Sequence, residues 1–270
     1  MGEPSNLKFI KMQGLGNDFI LIDSRSAQLG GIDLPKLAMR ACDRNFGIGA
    51  DGLIIVYPSQ KAHYRMQIIN PDGSEPEMCG NGIRCFARYV YETDKLKEEV
   101  ISVETGAGII IPAVIPGDDG SISTIEVDMG IPKDEGSVEL QGISFKKISM
   151  GNPHAVAFLN DDDFEAIDLA DIGPRIERDA HFKDRTNVEF ARVVSDSRIE
   201  VKVWERGAGA TLACGTGACA VAAAASILGL TGRKVTVYLP GGELDIEWND
   251  DGHLLMRGPA EYVFEGNYFI

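Results

Sequence analysis

Short runs of apolar residues, many of them β-branched, follow one another along most of the chain, and this pattern predicts β-strands. Segments rich in glycine, proline, asparagine and aspartate separate the runs, as expected for turns. The predicted strands are Leu7–Met12, Phe19–Asp23, Leu53–Tyr57, Arg65–Asn70, Val100–Glu104, Ile109–Ile115, Thr124–Met129, His154–Leu159, Asn187–Val194, Glu200–Trp204, Val235–Leu239, Leu244–Trp248, Leu254–Arg257 and Tyr262–Glu265.

Apolar residues recur at helical spacing in only a few segments. In one of them Leu37, Ala38 and Ala41 share a face, and Pro35 suits the first turn. An acidic run, Asn160–Glu165, predicts a solvated loop instead. Strands and helices in this mixture predict an α+β fold. The predicted helices are Pro35–Arg44, Asn81–Thr93, Leu169–Arg178 and Thr216–Leu230.

The chain contains an internal repeat. Cys-Gly-x-Gly occurs at Cys79–Gly82 and again at Cys214–Gly217, 135 residues further on, which is half of the chain. Several matches in one register indicate a duplication. We therefore predict two pseudo-symmetric domains, each mostly strands around a central helix, with the active site in the cleft between them. The same spacing relates Gly16 to Gly151, Asn17 to Asn152, Asn70 to Glu205, Gly106 to Gly241 and Glu126 to Glu261.

Composition and charge narrow the possible partners. A net charge of −15 argues against binding to nucleic acid or to an anionic membrane. The uncharged stretch Gly207–Gly232 has an apolar part, Ala218–Leu230, that is too short to span a bilayer, so we predict a buried central helix. Five cysteines, an odd number, and the absence of an apolar leader at the start of the sequence favour free thiols in a reducing cytoplasm.

Each repeated motif places a cysteine immediately before glycines and a predicted helix. The N-terminus of a helix offers free backbone N–H groups and a partial positive charge, which suit a carboxylate. A thiol at such a position is expected to have a pKa lowered toward neutrality. Two such sites facing each other would hold one carboxylate between two helix starts, with a thiol on each side.

This arrangement suits inversion of a carbon next to a carboxylate. One thiolate removes the proton from one face and one thiol returns a proton to the other, so that no metal, cofactor or redox step is required. A zinc site is less well supported, because the chain has no Cys-x-x-Cys pair. The segment Gly47–Gly52 fits a dinucleotide-binding pattern, but a strand follows it where a helix is needed. A purely structural role for the cysteines is expected at Cys42, Cys85 and Cys219.

Five blocks of sequence resemble those of the diaminopimelate epimerase family, in the order that the family has them. The resemblance covers essentially the whole chain. It implies a cofactor-independent enzyme that interconverts L,L- and meso-2,6-diaminopimelate, a step toward lysine and peptidoglycan precursors. The blocks are KMQGLGNDF (Lys11–Phe19), NPDGSEPEMCGNGIR (Asn70–Arg84), GNPHAV (Gly151–Val156), RTNVEF (Arg185–Phe190) and ERGAGATLACGTGACA (Glu205–Ala220).

The resemblance also implies roles for individual residues. Cys79 and Cys214 match the two catalytic acid/bases, while His154 and Glu205 match polar residues that tune the thiols and hold the reacting ammonium. Arg206 is expected to bind the distal carboxylate of the substrate. The other residues matched to substrate binding are Gly80, Asn81, Gly215 and Thr216 at the reacting carboxylate, and Asn17, Asn70, Asn152 and Asn187 toward the distal end.

Two positions depart from the family pattern. Gly52 stands where some members place a side-chain contact such as glutamine, and Ala210 stands where many members carry glutamate. In the family the two halves exchange their last strands, so we expect residues 1–119 plus 261–270 in one domain and 120–260 in the other. Gly117–Gly120 is the candidate linker.

Three alternative functions remain open from the sequence. A proline racemase or hydroxyproline epimerase would use the same two-cysteine chemistry, but it typically has Cys-Gly-His-Gly at the first motif, where Asn81 stands here. A binding protein that has lost catalysis would not need both cysteines. A redox-switch or metal-binding protein would show a stable disulfide or a bound metal. The oligomeric state is open, a homodimer included.

Overall fold

The computed structural model of the chain describes residues 6–27, 29–96, 98–117 and 121–270. Two compact units are present. One extends as far as Val127 and resumes at Gly258–Ile270, and the other is Asp128–Arg257. Among the described helices, none is long and apolar enough to cross a membrane.

Strands are the most frequent element in both units. Their bounds are β1 Asn6–Gly14, β2 Asn17–Asp23, β3 Gly52–Pro58, β4 Tyr64–Ile69, β5 Val103–Thr105, β6 Gly108–Ile110, β7 Ala113–Pro116, β8 Ile122–Asp128, β9 Lys133–Leu140, β10 Ile143–Ser149, β11 Pro153–Phe158, β12 Asn187–Ser195, β13 Arg198–Glu205, β14 Gly209–Ala210, β15 Lys234–Leu239, β16 Gly242–Trp248, β17 Leu254–Gly258 and β18 Glu261–Phe269.

The helices are few, as predicted. Asp33 caps α1 by accepting a hydrogen bond from the backbone N–H of Lys36, and Pro35 lies in its first turn. The bounds are α1 Leu34–Ala41, α2 Gly80–Thr93, α3 Asp161–Ala166, α4 Leu169–Glu177 and α5 Gly215–Ile227.

The two units have the same sheet topology. In the first unit the strand order is β18-β1-β2-β3-β4-β5-β6, and in the second the strands follow one another as β9-β10-β11-β12-β13-β15-β16. In both orders the third and fourth strands are parallel, the fifth and sixth are parallel, and the other neighbours are antiparallel. The predicted internal duplication is confirmed by this match.

The register repeats the sequence spacing as well. Phe19 of β2 pairs with Gly52 of β3, and His154 of β11 pairs with Asn187 of β12, which are the positions 135 residues further on. Parallel neighbours need a crossover connection. The helix α2 lies in the crossover from β4 to β5, and α5 lies in the crossover from β13 to β15.

The two crossover helices are buried in different ways. Along α2 the buried side chains include Ile83, Phe86 and Val90, and polar residues follow the outer face. The helix α5 is alanine-rich and carries no charge, and it is buried from Gly215 to Ala225 apart from Thr216. Burial of α5 on all sides explains why its sequence is apolar all round, as predicted.

Three segments correct the sequence predictions. The acidic run Asn160–Glu165 is largely the helix α3, because Asn160 caps it and three aspartates in its first turn interact favourably with the helix dipole. The strand predicted at Ile109–Ile115 is two strands, β6 and β7, since Pro112 interrupts it. The strands β9 and β10 were not predicted; most of β9 is exposed, so it lacks the alternation of a half-buried strand.

The predicted domain limits stay a prediction. The first of them, between residues 119 and 120, lies outside the described residues. The same applies to the linker predicted at Gly117–Gly120, of which the structure describes Gly117 alone.

Candidate functional site

In the first unit, Cys79 lies at the N-cap of α2. Its backbone is extended, and its carbonyl oxygen accepts the first helical hydrogen bond, from Ile83. The side chain is partly exposed, whereas Gly82 packs so closely that a Cβ there would lie 3.3 Å from Ile54 and Ile68. The glycines that follow the cysteine therefore let the helix begin against the sheet, with the thiol at its open end.

A chain of side-chain amides lies beside this thiol. The Oδ1 atom of Asn17 is 3.9 Å from Sγ of Cys79 and accepts a hydrogen bond of 3.0 Å from Nδ2 of Asn81. The Nδ2 atom of Asn17 donates to Oδ2 of Asp51 at 2.8 Å. The structure thus brings together three of the residues predicted at the site and adds Asp51.

Charged groups hold both ends of this chain. Arg84, which is fully buried, donates to Oδ1 of Asn81 at 2.8 Å, and Arg44 donates to Oδ1 of Asp51 at 2.7 Å. An arginine can only donate and a carboxylate can only accept. Both amide orientations are therefore fixed, and Asn17 presents a carbonyl oxygen to the thiol. The sequence analysis assigned no role to Arg84 or Asp51. An arginine among the apolar residues of the predicted helix could have indicated a role for Arg84.

In the second unit, Cys214 occupies the corresponding N-cap of α5. Its carbonyl accepts the first helical hydrogen bond, from Ala218, and its Sγ accepts a hydrogen bond of 3.4 Å from the backbone N–H of Gly217. The hydroxyl of Thr216 lies 3.6 Å from the sulfur. The thiol is buried, so this half-site is more enclosed than that of Cys79.

The surroundings of Cys214 keep it protonated. Burial, followed by the carboxylates of Glu205 and Glu189, raises the pKa of this thiol well above its usual value, against the opposite effect of hydrogen bonds from Thr216 and Gly217. The expectation that the helix start lowers the thiol pKa is therefore wrong for Cys214. Burial also raises the pKa of Glu205, with a smaller contribution from Glu189. Desolvation outweighs the partial charge of the helix end here.

His154 lies in a buried chain of polar groups. Its Nδ1 is 2.7 Å from Oε1 of Glu189, and its Nε2 is 3.1 Å from Oδ1 of Asn152. The amide of Asn152 reaches Oγ1 of Thr216 at 3.3 Å, next to the Cys214 thiol. The structure therefore joins His154, Asn152 and Thr216, three predicted residues, and adds Glu189, which the sequence analysis did not assign.

The other predicted residues are held by local contacts. Asn187 donates to the carbonyl of Pro153 at 3.0 Å and accepts from the backbone N–H of Arg206 at 2.9 Å. Its amide therefore holds the backbone of Arg206 next to that of Pro153. Glu205 accepts a hydrogen bond of 2.6 Å from Thr211. Within its own unit Asn70 bonds to a residue of its turn, with its Nδ2 2.9 Å from Oγ of Ser74.

The positions that depart from the family pattern differ in their room for a side chain. At Gly52 a Cβ would lie 3.3 Å from the carbonyl oxygen of Ile69 and 3.4 Å from the ring of Phe19. Ala210 is exposed in β14. Among the described residues, His, Cys, Asp and Glu form no group of three or more that could hold a metal ion.

The two thiols should differ in their reactivity toward a small alkylating agent. We expect iodoacetamide at mildly alkaline pH to modify Cys79 before Cys214, because Cys214 is buried and its pKa is raised. Peptide mass spectrometry over a time course gives the order. Cys42 and Cys85 are the reference for unreactive thiols, since burial raises their pKa to about 11 and about 12. Modification of Cys214 first would contradict this assignment.

Comparison with known proteins identifies the family of the chain. The family model described as diaminopimelate epimerase matches residues 9–133 and 147–263. The chain belongs to the diaminopimelate epimerase family. The resemblance found in the sequence is thereby confirmed. Members of the diaminopimelate epimerase family are isomerases, and the chain is an isomerase.

Relatives with high identity cover nearly the whole chain. The diaminopimelate epimerase of Moorella thermoacetica is 50% identical in an alignment 280 positions long, which covers 97% of this chain and 99% of the relative. The chloroplastic diaminopimelate epimerase of Oryza sativa subsp. japonica is 48% identical and covers 97% of this chain and 80% of its own.

Solved structures with low identity share the fold. A phenazine biosynthesis protein of the PhzF family from Bacillus anthracis matches with a TM-score of 0.76 at 15% identity, covering 98% of this chain and all of the other. A hydroxyproline epimerase from Agrobacterium vitis, with bound trans-4-hydroxy-L-proline, matches with a TM-score of 0.69 at 13% identity and covers 98% and 93%. The predicted α+β fold of two similar domains is confirmed by these matches.

Proposed function

We propose that the chain is a cofactor-independent epimerase that interconverts L,L- and meso-2,6-diaminopimelate, with Cys79 and Cys214 as its two acid/bases. The observation that carries the proposal is the repeated placement of a thiol at the open end of a buried crossover helix, once in each unit of a diaminopimelate epimerase fold. The product would serve lysine and peptidoglycan precursor synthesis. Both thiols must stay reduced, which fits the cytoplasm.

The helix starts account for the substrate carboxylate. The first N–H groups of any helix lack partners within it, and the helix dipole favours negative charge there. At α2 these donors belong to Gly80 and Asn81, and at α5 to Gly215 and Thr216. When the neighbouring carbon loses its proton, charge moves onto the carboxylate, so these N–H groups stabilise the transition state more than the ground state.

The thiols divide the proton transfer. Because its pKa is raised, Cys214 carries a proton in the form described and acts as the acid, while Cys79 acts as the base on the opposite face of the α-carbon. Proton removal at one face and proton return at the other invert the carbon. After the inversion Cys79 carries the proton taken from the substrate and Cys214 is a thiolate, so the two thiols exchange roles in the reverse reaction.

The polar residues around the thiols bind the rest of the substrate. We assign His154 and Glu205 to the reacting ammonium and to the protonation of Cys214. Arg206, whose guanidinium is exposed, provides the planar donor pair that a distal carboxylate takes. Asn187 holds the backbone of Arg206 in place. The amides of Asn17, Asn70 and Asn152 are assigned to the remaining polar groups of the substrate.

Proton exchange at the substrate α-carbon tests the proposal directly. The reduced protein is incubated in D2O with L,L-diaminopimelate and a chelator, without added cofactor, and followed by NMR. We expect deuterium at the α-carbon together with formation of the meso isomer. L-proline and trans-4-hydroxy-L-proline, run in parallel, are expected to remain protonated.

Each contrary outcome would indicate a different function for the chain. Exchange on proline alone would assign the chain to proline racemase chemistry. No exchange on any of these substrates, by a protein shown to be folded and reduced, would overturn the enzymatic proposal and favour a binding function.

A further inference from the structure

The two units differ at one buried pair of side chains. The 135-residue spacing relates His154 to Phe19 and Glu189 to Ile54, and the strands that carry them have equivalent registers. In the first unit this pair is apolar and buried. In the second unit it is a histidine and a glutamate, also buried. The fold therefore does not require a polar pair at these positions.

The histidine–glutamate pair is unusually well enclosed. Both side chains are 0% exposed, and Nδ1 of His154 lies 2.7 Å from Oε1 of Glu189. The second carboxylate oxygen, Oε2, is buried and has no hydrogen-bond partner among the described residues. An unsatisfied buried carboxylate oxygen costs stability, so it calls for an explanation.

The start of α5 is shaped around this carboxylate. A Cβ at position 217 would lie 2.8 Å from Oε1 of Glu189 and 3.2 Å from Sγ of Cys214. The second glycine of the Cys-Gly-x-Gly motif, Gly217, is thus the residue that lets the carboxylate and the thiol share one space. In the first unit the same glycine, Gly82, packs against the apolar Ile54.

We propose that Glu189 is a positioning residue that keeps a proton on Nδ1 of His154 and thereby fixes the ring with Nε2 toward the amide of Asn152. An ionised carboxylate only accepts hydrogen bonds, so the nitrogen that faces it must carry the proton. In this orientation Nε2 lies 3.1 Å from Oδ1 of Asn152, and Nδ2 of the same amide donates to Oγ1 of Thr216. The catalytic consequence of this assignment rests on the proposed function, which gives His154 its role. The orientation of the ring does not depend on that function.

The same carboxylate also favours the protonated form of the Cys214 thiol. Two carboxylates act on Cys214, those of Glu205 on β13 and Glu189 on β12, and both raise the pKa of its thiol. At Cys79 the corresponding contact described above is with Oδ1 of Asn17, 3.9 Å from the sulfur. Glu189 therefore contributes to the raised pKa by which Cys214 acts as the acid in the proposed mechanism.

The ring nitrogens of His154 can be observed without turnover. The chain has four histidines, so 15N NMR of the imidazole rings is tractable, and His154→Phe identifies the resonances of this ring. We expect Nδ1 of His154 to be protonated in the native protein. In Glu189→Gln the amide can either accept or donate, so a form with Nδ1 unprotonated should become populated. A native Nδ1 that carries no proton would overturn the proposal.

Kinetics of the D2O exchange then test the consequence. Glu189→Gln is expected to lower kcat about 10- to 100-fold while KM changes less than about threefold, because Glu189 acts through His154 and does not bind substrate. Glu200→Gln on the neighbouring strand β13 is the matched control, since Glu200 pairs with Arg192 away from the His154 ring, and its kcat should be native. An unchanged kcat in a folded Glu189→Gln protein would overturn the proposal.

A third variant separates positioning from folding. His154→Phe with Glu189→Ile copies the apolar pair of the first unit and is expected to unfold at a temperature equal to or above that of the native protein, since replacing both members of a buried polar pair by apolar groups of similar shape is often neutral or stabilising. A large loss of thermal stability would mean that the pair serves the fold. Failure of the proposed function would leave every substrate unexchanged by the native protein while the NMR result stood, so the two failures are distinguishable.

Discussion

Replacing either Cys79 or Cys214 by alanine is expected to abolish formation of the meso isomer from L,L-diaminopimelate. Each variant keeps one group for one face of the α-carbon and lacks the group for the other face, so inversion cannot be completed. A positioned acid or base is worth about 10² to 10⁴ in rate, and we expect a loss of at least ~10³-fold in each variant. The effects should not add in the double variant, because the two thiols act as one unit.

Cys85→Ala and Cys219→Ala are the matched controls for this prediction. Both cysteines lie on the same two helices, α2 and α5, and both are 0% exposed, so these variants remove a thiol next to each site without touching the chemistry. Their rates should stay within a few-fold of native. A single variant, Cys79→Ala or Cys214→Ala, that forms the meso isomer at the native rate would refute the two-base mechanism. Circular dichroism confirms that each variant is folded.

The fold was largely predictable because its signals are local. Each crossover helix begins directly after its cysteine, where glycines and a change from strand to helix periodicity occur together. The duplication was visible because the spacing is preserved between its landmarks, and the register of Phe19 and His154 repeats it. The strand β9 escaped prediction because an exposed strand is not required to alternate apolar and polar residues.

The partners of the site residues were less predictable because they come from distant parts of the chain. Asp51 reaches Asn17 across 34 positions, and Glu189 reaches His154 across 35, through neighbouring parallel strands. No local pattern states such a pairing, although a glutamate inside the apolar strand β12 was a visible anomaly. The high pKa of Cys214 was missed for the same reason, since burial and two carboxylates from other strands outweigh the local effect of the helix start.

Arg84→Met is expected to cause the largest loss of stability of any substitution in the first half-site. Arg84 is fully buried, and it donates to Oδ1 of Asn81 at 2.8 Å and to the carbonyls of Gly80 and Pro259 at 3.1 Å each. Methionine fills much of the same space but donates no hydrogen bond, so three acceptors lose a partner, the buried amide of Asn81 among them. Losses of this kind cost about 3–5 kcal/mol in the free energy of unfolding.

Urea unfolding followed by circular dichroism measures this loss, with Arg65→Met as the control. Arg65 is exposed on β4, where its guanidinium lies 5.1 Å from the ring of Tyr57, so its replacement should cost no more than about 1 kcal/mol.

The effect on catalysis separates Arg84 from an ordinary core residue. Without Arg84 the amide of Asn81 loses the donor to its Oδ1, which weakens the orientation that points its Nδ2 at the carbonyl oxygen of Asn17 beside Cys79. Folded Arg84→Met protein should therefore also exchange the substrate proton more slowly, by ~10-fold or more. Native stability together with a native exchange rate in Arg84→Met would show that the arginine holds neither the helix start nor the amide chain beside the thiol.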